Sequence, residues 1–168
     1  MRTTLLALAL GLFATSAAQA AEPALVDHWS EPVVQRLLQS LGATDLQRTT
    51  LAGQPGLLAK TADGISLGVY AKACAGAPTA AAEPYCRGVE GIASFDPGRG
   101  ADRAALADRL NHQYAAGKFM LEPDGTIRLT RYIDVDAGVT EANLRSQLAA
   151  FVALAEATKT AVWGAQGR

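Results

Sequence analysis

The run KFMLEPDGTIRLTRYIDVDAGVTEANLRSQLAAF, residues 118–151, changes period partway along. Asp124-Gly125 reads as a two-residue hairpin turn after a short strand from Lys118 to Glu122. On the return, Ile127, Leu129, Arg131, Ile133 and Val135 alternate with Thr126, Arg128, Thr130 and Tyr132, the period of a half-buried strand. Asp136-Ala137-Gly138 turns the chain. From there the period is helical. Thr140 is placed as an N-cap with Glu141 in the first turn, and Leu144, Leu148, Phe151, Val152 and Ala155 form one stripe. A hairpin that runs at once into an amphipathic helix makes that helix cover one face of an antiparallel sheet.

Upstream the same grammar repeats. A helix begins near Asp102, carries Leu106, Leu110 and Tyr114 at four-residue steps, and ends near Gly117. Asp96-Pro97-Gly98-Arg99-Gly100 is a loop. Ile65, Leu67, Val69 and Ala71 alternate with polar or small residues up to Cys74, after an Asp63-Gly64 turn. Cys86 to Phe95 resumes with Val89, Ile92 and Phe95, and Gly88 and Gly91 permit a bulge there. Asp45–Leu51 reads as an edge strand and Leu57–Lys60 as another. The first helix starts at Ser30, has Glu31 and Pro32 in its first turn, buries Val33, Val34, Leu37, Leu38 and Leu41, and stops at Gly42. The order helix, strands, helix, hairpin, helix gives an α+β fold, an antiparallel sheet with helices packed on one face. The tail 158–168 is expected to be loose, with Trp163 as its one docking residue.

The N-terminus reads as an address. Met1-Arg2-Thr3-Thr4 carries a positive charge, Leu5 to Phe13 is apolar, and Ala18 and Ala20 supply a small-x-small cut. The apolar run is too short to span a bilayer, which argues against a membrane anchor. Residues 1–20 are therefore expected to be a signal peptide, 21–157 one α+β domain, and the destination the periplasm or the medium. Cleavage leaves 148 residues and a formal charge of about −2. That near-neutral balance lacks the basic footprint of a nucleic-acid binder.

The destination governs the cysteines. Cys74 and Cys86 flank a segment of prolines and small residues, and in an oxidising compartment such a pair is most simply a disulfide. A loop of that size is stabilised by about 3 kcal/mol in the chain-entropy model. The bridge would pin an antiparallel pair at its loop end. The C-x-x-C spacing of redox catalysts is absent, and His28 and His112 lie too far off in sequence to complete a zinc pattern.

No G-x-S-x-G, Walker A or H-E-x-x-H pattern occurs. Gly98-Arg99-Gly100 lacks the setting of a dinucleotide loop and reads as a turn. Asp134 and Asp136 share one side of a strand end. Such a pair serves acid/base work or calcium, or forms a solvated turn. His112, near a helix end, suits the dipole as a cation. Asn111 can cap or bond a neighbouring loop. Arg128 and Arg131, on opposite strand faces, are candidate anion contacts.

Leu110-Asn111 near a helix end, Lys118-Phe119 opening a strand, Asp124-Gly125, Asp134-Val135 and Gly138-Val139-Thr140 before a Leu-rich helix together resemble the YbjN-domain family. The resemblance spans roughly residues 25–157, and the cysteine-flanked strand pair looks like its exported members. That family tends to follow Leu-Asn with a Trp and a second Asn. Here His112-Gln113-Tyr114 stand instead, so no role of those two side chains carries over. The resemblance implies a fold like the type III secretion chaperones, often dimeric, and a regulator of bacterial sensory transduction with no established reaction. The expected function is a non-catalytic exported adaptor holding a protein or peptide partner. It needs no cofactor or metal, no nucleic acid and no stable membrane insertion, and it can pair as a homodimer. Its candidate contacts are Asn111, Tyr114, Arg128, Arg131, Asp134 and Asp136. The alternative is a small periplasmic hydrolase or inhibitor-like factor using Asp134 and Asp136.

Overall fold

The computed structural model describes residues 24–75, 85–98 and 102–164. The export signal and the cut after Ala20 lie outside the described residues, as do 76–84 between the cysteines. The described chain runs β1 (Leu25–Val26), α1 (Glu31–Ser40), β2 (Thr44–Leu51), β3 (Gln54–Lys60), β4 (Ser66–Ala75), β5 (Tyr85–Phe95), α2 (Arg103–Gln113), β6 (Lys118–Leu121), β7 (Ile127–Asp134), β8 (Val139–Thr140) and α3 (Glu141–Trp163). β2 to β7 form one antiparallel sheet in the order β2-β3-β4-β5-β7-β6, and β1 pairs separately with β8.

Alternation divides the sheet into two faces. Leu57, Ala59, Leu67, Val69, Ala71, Val89, Ala93, Phe95, Ile127, Leu129 and Ile133 are all buried toward the helices. Leu144, Leu148, Phe151, Leu154 and Ala155 of α3 meet them, together with Val34, Leu37 and Leu38 of α1. Leu106, Ala107 and Leu110 of α2 close the end of the same core over β6. The α+β architecture with helices on one face is the one the periodicity demands.

Several local expectations need correction. Pro123-Asp124-Gly125 forms a three-residue loop, since Glu122 N–H donates to Thr126 O and Gly125 N–H to Glu122 O, each at 2.9 Å. Proline presets the first turn position and Gly125, at φ 86°, takes the left-handed one. The backbone N–H of Thr126, and then its hydroxyl, donate to the Asp124 carboxylate and hold its pKa below the ordinary value. Ser30 occupies the N-cap of α1, but its side chain makes no cap bond; only its carbonyl accepts from Val34 N–H, at 3.0 Å. β5 has no bulge. Its register with β4 does not shift, although the rung between Lys72↔Gly88 and Cys74↔Cys86 is missing where Ala73 has φ 52°; the register shift lies in β2 between Thr44 and Gln47, where Asp45 has φ 53°.

The expected loose tail is instead helix as far as Trp163. The stripe Leu144, Leu148, Phe151, Ala155 continues at helical spacing through Thr158 and Val162. Thr158 is fully buried because its hydroxyl donates back to Leu154 O at 2.7 Å. Trp163 does dock: its Nε1–H donates to Asp96 O at 2.6 Å, and its ring meets Phe95 with centroids 5.7 Å apart.

Ala52 and Gly53 make the β2–β3 turn, both with positive φ, 50° and 78°. A two-residue turn of this hand favours Asn-Gly, and an alanine there bears the left-handed penalty. Ala52→Asn is therefore expected to raise stability by about 0.5–1 kcal/mol, read as a higher urea midpoint at unchanged slope.

Candidate functional site

Among the described residues no helix packs on the other face of the six-stranded sheet. Its rows can be followed across the strands. Gly56, Tyr70, Glu90 and Tyr132 are successive partners in β3, β4, β5 and β7. The next row holds Lys72, Gly88 and Asp134. On the other side lie Leu58, Gly68, Ile92, Thr130 and Lys118.

Three glycines on this face are occupied from above. A Cβ at Gly56 or Gly68 would run into the Tyr70 ring, and one at Gly88 would run into Tyr132. The rings therefore lie down over bare backbone, an aromatic laid over a strand glycine. Tyr70 is left 8% exposed, while Tyr132 remains 53% exposed and Leu58 41%. Between the tyrosines, Glu90 pairs with Lys72 at 2.8 Å. Beside Tyr132 a shallow hollow of about 470 Å³ is lined by Glu90, Met120, Thr130 and the 115–118 loop. A smaller one of about 200 Å³ sits at Leu58, Gln47, Lys60 and Ser66. The face offers aromatic surface, one neutralised ion pair and open depressions, which suits holding a chain laid across it.

The residues singled out from sequence scatter. Cys74 and Cys86 face each other in the β4–β5 ladder and are bonded. Asn111 and Tyr114 both serve Phe119. Asn111 Nδ2–H donates to Phe119 O at 2.8 Å, its Oδ1 accepts from Phe119 N–H at 2.9 Å, and the Tyr114 ring tilts against the Phe119 ring at 6.2 Å. Arg128 lies on the uncovered face and pairs with Glu122 at 3.3 Å. Arg131 points the other way, under α3, and donates to Ala116 O and Gln147 Oε1. The bonds tie the loop at Ala116, on the rim of the larger hollow, through Arg131 to Gln147 of α3. Asp134 Oδ1 accepts from Asp136 N–H at 3.0 Å, and Asp136 pairs with Arg87 at 3.2 Å. Each carboxylate thus has a turn-forming or surface partner, and the two do not converge on a shared cleft. His112 is exposed, 3.7 Å from Asp108. Among the described residues no cluster of three or more His, Cys, Asp or Glu is placed to hold a metal ion, and no helix is long and apolar enough to cross a membrane.

Sequence reasoning missed Tyr70, Tyr132 and Glu90. Alternation put Tyr132 on the polar face of its strand, but only the inter-strand register sets it over Gly88 and opposite Glu90.

No curated protein matches the chain. One chain of a solved structure entitled "Structure of the HopA1-SchA Chaperone-Effector Complex" is similar, at 14% identity and a TM-score of 0.46. The match covers 76% of this chain and 90% of that one. Residues 33–162, from the first helix to the end of the last, match the YbjN family, described as "Putative bacterial sensory transduction regulator". The chain belongs to the YbjN family.

Proposed function

We propose that this protein is an exported, non-catalytic adaptor that holds a protein partner on the uncovered face of its sheet, around Tyr132. The observation that carries the reading is that face itself. Strand glycines make room for two tyrosine rings, one of them more than half exposed, beside an open hollow. Rigid aromatic surface next to shallow relief is the composition of a protein-binding patch. Membership of a family described as regulatory agrees with a protein that acts by contact. The export signal read from residues 1–20 puts the contact in the periplasm or the medium. The hydrolase alternative draws no support from the separate engagements of Asp134 and Asp136.

Photo-crosslinking in a bacterium expressing the full chain tests this. A photoreactive side chain at Met120, on the rim of the hollow, is expected to give a discrete adduct. One at Ala153, exposed on α3, is expected to give none. Tyr132→Ala is expected to lower the Met120 adduct about tenfold, the loss of an aromatic anchor. Equal adducts at both sites, or indifference to Tyr132→Ala, would refute the reading. An adduct of twice the chain mass identifies the partner as a second copy. The intact mass of the monomer reads the cleavage site.

A further inference from the structure

We propose, resting on the adaptor reading above, that the partner presents its free C-terminus. Its last residues join the sheet as a strand on the open edge of β7, and its carboxylate meets Lys118.

The edge follows from the ladder. Val135 N–H donates to Arg87 O at 3.0 Å across β5 and β7. Backbone groups of a strand alternate in side, so the odd-numbered residues of β7 turn theirs toward β5 and the even-numbered ones toward β6. The bond from Glu122 N–H to Thr126 O, at 2.9 Å, agrees. Yet β6 begins only at Lys118, opposite Thr130, whereas β7 runs on to Asp134. Tyr132 and Asp134 therefore direct N–H and C=O to a side where, among the described residues, no strand stands. The chain before Lys118 does not fill that place. A Cβ at Gly117 would stand 2.5 Å from Leu154 Cδ2 and 2.6 Å from Leu129 Cδ1, and Ala116 O accepts from Arg131, whose side chain lies under α3. Residues 116 and 117 are thus drawn to the helix-covered side. Beside Tyr132, where a longer β6 would lie, is the hollow of about 470 Å³. An unpaired edge is a template for an added strand.

Direction and charge select the occupant. β6 is antiparallel to β7, so a segment that prolongs its line upstream runs toward Lys118. β6 already holds the line from there onward. An internal segment would have to lift off the sheet at Lys118, whereas a chain that ends there need not. The charged residues around the hollow are Glu90, Lys118 and Arg131. Glu90 is neutralised by Lys72. Arg131 donates to two uncharged oxygens, and Lys118 has no acidic partner among the described residues. The excess positive charge suits a carboxylate, and a terminal one arrives at Lys118 by geometry.

The test takes the Met120 photo-adduct and digests it with trypsin in heavy-oxygen water, which labels every newly made carboxylate. Mass spectrometry then reads the attached partner peptide. An unlabelled peptide, the partner's native C-terminus, is expected. A labelled, internal peptide overturns this inference and leaves the adaptor reading standing. Absence of any Met120 adduct overturns both. Lys118→Gln is expected to lower the adduct about tenfold, the loss of one charged hydrogen bond, and Lys118→Arg to retain it. Equal adducts from Lys118→Gln and the parent overturn the carboxylate contact. Tyr132→Pro removes the N–H aimed at the open edge and spares the β5 ladder, the placement in which a sheet tolerates proline. It is expected to give less adduct than Tyr132→Ala, at an unchanged far-ultraviolet circular dichroism spectrum. Equal adducts from the two variants overturn the added strand. Should Tyr132→Pro misfold, the peptide label and the Lys118 variants decide.

Discussion

Phe151→Ala is expected to lower the free energy of unfolding by about 3–5 kcal/mol, read from urea denaturation. Phe151 is fully buried at the middle of α3. Its ring rests on Gly91 in β5, where an added Cβ would stand 2.7 Å from the ring. A large side chain opposite a glycine is one half of a lock, and nothing on the strand side can swell into the space the ring leaves. The cavity therefore stays open, and the cost falls in the upper part of the range for aromatic truncations. The converse change makes the pairing testable. Gly91→Ala alone overpacks the same contact and is expected to cost about 1–3 kcal/mol. In the Phe151→Ala background the new methyl group enters vacated space, so the Gly91→Ala penalty should vanish or reverse. Additivity of the two changes to within about 0.5 kcal/mol would show that helix and strand are not locked here.

That contact also marks how far the sequence could be read. Phe151 was visible as a core residue because it sits on a stripe of period 3.6. Gly91 was not visible as its partner, since a glycine in a strand reads equally as a bulge. The bulge fell elsewhere, in β2. The end of α3 was misread for a related reason: Thr158 looks like the polar residue that closes a stripe, yet it is buried by a hydrogen bond to its own helix. β1 and β8 have two residues each, too few to show any period. The Ala52-Gly53 turn was hidden because alanine carries no turn signal. The candidate face was the least legible part, since its tyrosines and glycines come from four strands and meet only through register. Single residues with local chemistry fared better: the bonded cysteines, the Thr140 cap that accepts from Asn143 N–H at 3.1 Å, and Asn111.

Asn111→Leu is expected to cost about 2–4 kcal/mol, because it leaves two polar groups of a buried strand residue without partners. β6 is an edge strand of the sheet. The Asn111 amide offers Phe119 one donor and one acceptor, as a neighbouring strand would. The side chain thereby finishes the sheet, and α2 keeps it in position. Phe119 itself is only 3% exposed, so water replaces those bonds poorly. Asn111→Asp separates the two bonds. The introduced carboxyl still accepts from Phe119 N–H, but when ionised it sets a negative oxygen against Phe119 O. Only the protonated acid can donate there, so its folded-state pKa is raised above the unfolded value. The sign follows from linkage: stability is retained below the ordinary carboxylate range and is lost as pH rises through the folded-state pKa. Urea midpoints of Asn111→Asp, measured against the parent at each pH, should therefore fall behind as pH rises, whereas Asn111→Leu should trail by a constant amount. A pH-independent gap for Asn111→Asp would mean that the Phe119 carbonyl has another donor in solution. The edge consequence follows from the same bonds. A β6 strand with its Phe119 N–H and C=O freed is a template for pairing with another chain, so Asn111→Leu should also aggregate at concentrations where the parent stays dispersed.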